Sequence, residues 1–130
     1  MVKNITMRKI IYTLFALIGF ASFGFAQANM DIAVSKGKSE LISSKTSGEY
    51  EFILPSTLTK ETVNKNANYY TKMFTVNFDE KSHEAHLTMI GQDAQSRYVI
   101  GRFLTACGVG SVEIDGENVL LMDFMEGYLK

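Results

Sequence analysis

From Glu49 onward, apolar and polar residues follow patterns that predict alternating strands and helices. Tyr50, Phe52 and Leu54 are spaced by Glu51 and Ile53 ahead of Pro55, which predicts a strand ending in a turn. Ser56, Thr57 and Thr59 offer N-caps for a helix carrying Val63, Ala67 and Tyr70 on one side, although Asn64, Asn66 and Asn68 are poor helix formers. Phe74, Val76 and Phe78, then Ala85, Leu87 and Met89, alternate with polar residues on either side of the turn at Asp79 to Ser82, which predicts a hairpin. Asp93 is placed to cap a helix whose apolar side is Val99, Ile100, Phe103, Leu104 and Cys107, with Gly108 as its stop. Val112 and Ile114 form the next alternating run, and a turn at Asp115 to Asn118 leads into a last strand from Val119 to Phe124.

The order is therefore β-α-β-β-α-β with an extra C-terminal strand. Two β-α-β units packed as one antiparallel sheet under two helices make a ferredoxin-like plait, an α+β fold, over residues 49–130. Most of the aromatic residues fall on the inward side of these elements, which assigns them to the core. Residues 27–48 have a different texture. They are rich in Ser, Lys and Gly, as in Ser35-Lys36-Gly37-Lys38-Ser39, and read as a flexible N-terminal arm. Short apolar pieces at Ile32 to Val34 and at Leu41 to Ile42 leave room for one edge strand there.

Residues 1–26 carry the three parts of a secretory signal peptide: basic residues at Lys3, Arg8 and Lys9, an apolar run from Ile10, and small residues at Gly24 and Ala26. Cleavage is expected after Ala26, leaving Gln27 as the new N-terminus in the periplasm or outside the cell. No cysteine follows the cleavage point to take a lipid, so no membrane attachment is expected after cleavage. Loss of the segment leaves ten Lys and Arg against fourteen Asp and Glu, a formal charge of about −4. That sign argues against nucleic acid and anionic membranes as partners, because both attract basic surfaces. One cysteine, Cys107, gives no intramolecular disulfide, so an apolar core must hold the domain.

Within this frame, the strand Leu87-Thr88-Met89-Ile90, the glycine at Gly91, the helix ending Leu104-Thr105-Ala106-Cys107-Gly108-Val109 and the strand Ser111-Val112-Glu113-Ile114-Asp115 form a recognisable series. Residues 87–124 resemble the heavy-metal-associated domain of copper chaperones and metal pumps. The resemblance implies a ferredoxin-like fold. In that family a C-x-x-C loop holds a soft metal ion, but its two cysteines fall on Ala94 and Arg97 here, so no metal ligand carries over.

The remaining candidates for metal chemistry are His83, His86 and Met89. Two histidines three apart on one strand point to opposite faces, which prevents both from chelating one ion. Met73, Met122 and Met125 read as packing residues, and Cys107 as a small buried hydrophobe. The acidic turns at Asp79-Glu80 and Asp115-Gly116-Glu117 lack the spacing of a calcium loop. There is no Gly-x-Ser-x-Gly elbow, phosphate-binding glycine loop or H-E-x-x-H. The expectation is a non-enzymatic module without metal or cofactor, binding an unidentified protein or small ligand over a sheet face or free edge. The alternative is a degenerate metal-handling domain for copper or zinc. The pattern leaves oligomeric state open.

Overall fold

The computed structural model describes residues 31–130; the expected signal segment and the first residues of the arm lie outside this range. The elements run β1 (Asp31–Ser35), α1 (Lys38–Ser47), β2 (Glu49–Ile53), α2 (Lys60–Ala67), β3 (Phe74–Asp79), β4 (Glu84–Met89), α3 (Ala94–Ala106), β5 (Val109–Ile114), β6 (Glu117–Leu120) and α4 (Leu121–Phe124). A short 3-10 turn, Asn68–Tyr70, follows α2, and a π turn, Met125–Leu129, follows α4. No described helix is long and apolar enough to cross a membrane.

The strands form one mixed six-stranded sheet in the order β3-β4-β2-β1-β5-β6. β3, β4 and β2 pair antiparallel, as do β2 with β1 and β5 with β6, whereas β1 and β5 are parallel. The sheet therefore differs from the antiparallel sheet that the alternation predicts, and the difference lies in the segment read as a flexible arm. Residues 31–35 lie between β2 and β5 and pair with both. A strand paired on both sides is held by its backbone, so Ala33, fully buried, is enough to anchor it.

Residues 38–47 form α1, a helix with almost no apolar periodicity in which only Leu41 and Ser44 are buried. Its ends explain it. Gly37 precedes it with φ 107° and has no side chain to cap with, and the missing cap comes from 77 residues away: the Lys38 backbone N–H donates to Asp115 Oδ2 at 3.2 Å. A Cβ on Gly37 would sit 2.6 Å from Asp115 Oδ1, so the close approach requires glycine. At the other end Gly48 is left-handed and its N–H donates to the Ser44 carbonyl.

The predicted helices and central hairpin are present. Thr59 caps α2, accepting from the Thr62 N–H at 3.2 Å, and Asp93 caps α3, accepting from the Ser96 N–H at 2.7 Å. The chain end departs from expectation. Asp115 and Gly116, with φ 51° and 85°, form a two-residue turn between Ile114 and Glu117, so β6 begins earlier and ends at Leu120. Residues 121–129 are helical because Leu121, Phe124 and Leu129 bury one side against the core.

The two faces of the sheet differ completely. Tyr50, Phe52, Phe74, Phe78, Ala85, Leu87, Val112 and Ile114 point inward with Val63, Ile100, Phe103 and Leu104 from α2 and α3. Phe74 meets Phe103 edge-on at 5.6 Å and Phe52 meets Phe124 edge-on at 5.9 Å, which fixes α3 and α4 over the same face. Where α3 crosses the C-terminal turn, a Cβ on Gly101 would lie 2.3 Å from Met125 Sδ, so the crossing depends on a residue without one. The opposite face is exposed or half-buried, with α1 at its rim, where Glu40, Leu41, Ser44 and Ser47 line a small pocket with Lys36, Glu49, Glu51 and His86.

Candidate functional site

Residues directly opposite one another on paired strands share a face, so the register maps the open side. One row holds Asp79, Glu84, Ile53, Val34 and Glu113, and the next holds Asn77, His86 and Glu51. Lys36 follows the end of β1 and continues the second row. Its Nζ donates to Glu84 Oε1 at 2.6 Å and lies 3.8 Å from Glu51 Oε2. The hydrogen bond to Glu84, helped by the charges of Glu84 and Glu51, holds this ammonium above its ordinary pKa range. His86 Nδ1 lies 3.0 Å from Glu51 Oε1, and its Nε2 lies 3.7 Å from Glu49 Oε1. The network is solvent-exposed, so it adds little stability, but it fixes where each charge sits.

Beside the charges lies an apolar stripe. Ile53 and Val34 face each other across the β1–β2 pair, and Ile32 is two residues along on the same side. Ile32 is 41% exposed and Ile53 38%, well above what the inward-facing residues of the same strands keep. Leu120 extends the stripe across Ser111 toward β6. The face thus presents an isoleucine stripe with Glu49, Glu51, Glu84 and Glu113 around it and Lys36 as the neighbouring cation. A separate groove of about 340 Å³, lined by Met73, Tyr98, Val99, Arg102 and Lys130 among others, lies beside α3. Its rim is carried by a helix and the chain end, where Tyr98 and Lys130 are both engaged by Glu126.

The three metal candidates are not brought together. His86 belongs to the open face, and Met89 points into the core. His83 sits in the β3–β4 turn with φ 60°, its ring tilted over Phe78 at 5.9 Å and its carbonyl accepting from the Leu54 N–H. Its role is to shape that turn, a conformation histidine tolerates better than most residues. Among the described residues, no group of three or more His, Cys, Asp or Glu is arranged to hold a metal ion.

Ala94 and Arg97, where the heavy-metal family carries its cysteines, open α3. Arg97 donates to the carbonyls of Leu129 and Gln92 and ties the helix to the chain end. The acidic turns also have structural work. Asp79 Oδ1 accepts from the Lys81 N–H, and Asp115 caps α1. Met125 packs on Gly101, whereas Met73 and Met122 are exposed. Cys107 is buried, and burial raises its thiol pKa against a smaller opposing effect of the 3.5 Å contact from Asn66 Nδ2.

Sequence reasoning passed over Lys36, Glu49, Glu51 and Glu84. The signal for the acids was present, since they occupy outward positions of the two strands whose inward positions are Tyr50, Phe52, Ala85 and Leu87. Lys36 was hidden because the short apolar piece at Ile32 to Val34 does not say which strand it pairs with. Scanned against protein-family models, curated proteins and solved structures, the chain matches none.

Proposed function

We propose that the protein is an exported, non-catalytic interaction domain that binds a partner protein through the open face of its sheet. The observation that carries this reading is the isoleucine stripe exposed on an otherwise polar face. An apolar stripe on rigid strands, bordered by charges already fixed in place, has the makeup of a recognition surface. The surrounding carboxylates select the partner by charge: a segment with an apolar ridge flanked by lysine or arginine complements Glu49, Glu51, Glu84 and Glu113. The signal pattern of residues 1–26 supports a periplasmic or secreted location, and the N-terminus of the released protein is expected to read Gln27.

The test is capture from the exported fraction of the native cells, comparing the unaltered protein with Ile53→Lys. The unaltered protein should retain a protein carrying such a basic, apolar segment, and the variant should lose it while keeping its circular dichroism. Retention by both forms, or by neither, would remove the open face from consideration.

A further inference from the structure

The two edges of the sheet are built differently. β6 is four residues long, begins with Glu117 and ends directly in α4, which are ordinary ways of blunting an edge. β3 has six residues, Phe-Thr-Val-Asn-Phe-Asp, without lysine, proline or glycine, and pairs with β4 in unbroken register along its whole length. Among the described residues, no strand pairs with its other side.

The hydrogen-bond alternation shows which backbone groups that edge presents. The Ile90 N–H donates to the Met73 carbonyl, and the Met89 and Leu54 N–H groups join β4 to β2 through the Gly48 and His83 carbonyls. Residues 84, 86 and 88 therefore turn toward β3, where they meet 79, 77 and 75. By the same alternation, the N–H and C=O groups of Phe74, Val76 and Phe78 point away from the sheet, unpaired by any described strand.

We propose that β3 pairs antiparallel with β3 of a second copy, about a twofold axis at Val76, joining two sheets into one of twelve strands. The sequence of the edge is complementary to itself in this register and no other centre does as well. Val76 meets Val76, and Phe74 meets Phe78 on the inner side. Each of these pairs falls where the outward backbone groups exchange two hydrogen bonds. On the open side Thr75 meets Asn77, and in the turns just beyond the strand Lys72 of one copy comes near Glu80 of the other, whose carboxylate also accepts from the Lys60 N–H of its own chain. Both ends of the pair are thus closed by opposite charges.

This inference does not depend on what the open face binds. Its consequence for that face is geometric. The two β4 strands become three strand spacings apart, about 14 Å, so the two His86 networks flank the twofold axis on one continuous surface.

Sedimentation equilibrium of the purified protein should give a mass of two chains across the micromolar range. Thr75→Cys and Asn77→Cys, both at exposed positions, test the register. Each variant oxidised alone should stay uncross-linked, and an equimolar mixture should give a dimer reversed by reductant. Lys72→Glu and Glu80→Lys should each weaken association about three- to tenfold, and the double exchange should restore it. A monomer at every concentration overturns the proposal. So does cross-linking of either cysteine variant alone at the rate of the mixture, or association indifferent to both charge changes. None of these results bears on capture of a partner by the open face, which is read with Ile53→Lys.

Discussion

The two faces of β2 and β4 are made by the same backbone and take alternate residues of it, yet they differ in every respect. Inward, Tyr50, Phe52, Ala85 and Leu87 are almost completely withdrawn from water under α3 and α4. Outward, Glu49, Glu51, Glu84 and His86 stand in solvent, linked by contacts of 3.0 to 3.7 Å and by Lys36. Alternation of side chains across a strand thus separates what holds the domain together from what it presents to solvent, the surface proposed to take a partner. Substitutions on one side should register in stability and on the other in binding.

The largest effect is expected inside. Phe103 is fully buried against Phe74, and Phe103→Ala should cost about 3 to 5 kcal/mol in urea unfolding, through lost transfer energy and a cavity that neighbours fill only in part. A loss below 1 kcal/mol would mean that α3 does not rest on the sheet as described. Next comes the remote cap. Asp115→Ala removes the acceptor for the first turn of α1 and places alanine at a left-handed φ, which together should cost about 1 to 2 kcal/mol, with faster amide exchange at Lys38 from the lost cap. Unchanged exchange there would show that α1 does not need the cap.

Tyr50 offers a smaller effect of opposite sign. Its hydroxyl is buried without a hydrogen-bond partner, and burial raises its pKa against a weaker influence of Arg97. Tyr50→Phe removes the unpaired group and keeps the ring stacked parallel to Phe52, so it should be neutral or stabilise by up to about 1 kcal/mol. Destabilisation by this change would reveal a partner for the hydroxyl.

The smallest effects are those of exposed charge. The Asp93 carboxyl is held below its ordinary 3.8 by the Ser96 N–H, and Glu126 below 4.5 by Lys130 and Tyr98. Groups lowered in the folded state contribute above their unfolded values and lose that contribution as pH falls through the folded ones. Lys36 and Lys130 are raised above 10.5 by Glu84 and Glu126 respectively, so their contribution is present below that value and lost as pH rises past it. Melting temperature should therefore show shallow declines below about pH 4 and above about pH 10.5 from these groups, both weakened by salt.

What could be read from the sequence follows the same division. Strands and helices that bury a regular face declared themselves: β2, β3, β4, β5 and α3 all carry the period of their structure, and Asp93 and Gly108 mark the ends of α3. α2 was legible in part. Its asparagines argue against a helix, but Asn66 donates to the Ala106 carbonyl at 3.1 Å and makes the 3.5 Å contact with Cys107 Sγ, so tertiary contacts offset weak propensity. β1 showed only as an optional edge strand at Ile32 to Val34, whereas it lies inside the sheet, and α1 was hidden, because both are held by partners distant in sequence. Ala33 needs β2 and β5 on either side, and α1 needs Asp115. The final strand was overextended because Val119, Leu121 and Phe124 suit either period over so short a run. At the candidate site the acids were visible as outward positions, but their meeting with Lys36 required the β1–β2 pair that composition concealed.

The separation of stability from recognition can be measured in one preparation. Ile32→Lys combined with Ile53→Lys places two charges in the open stripe, on the side of the sheet away from the core. Melting temperature and retention of the proposed partner are then compared with those of the unaltered protein. The expected result is lost retention with a stability change within about 0.5 kcal/mol per site. Retained partner, or a loss of stability comparable to that of Phe103→Ala, would contradict the assignment of the open face to binding.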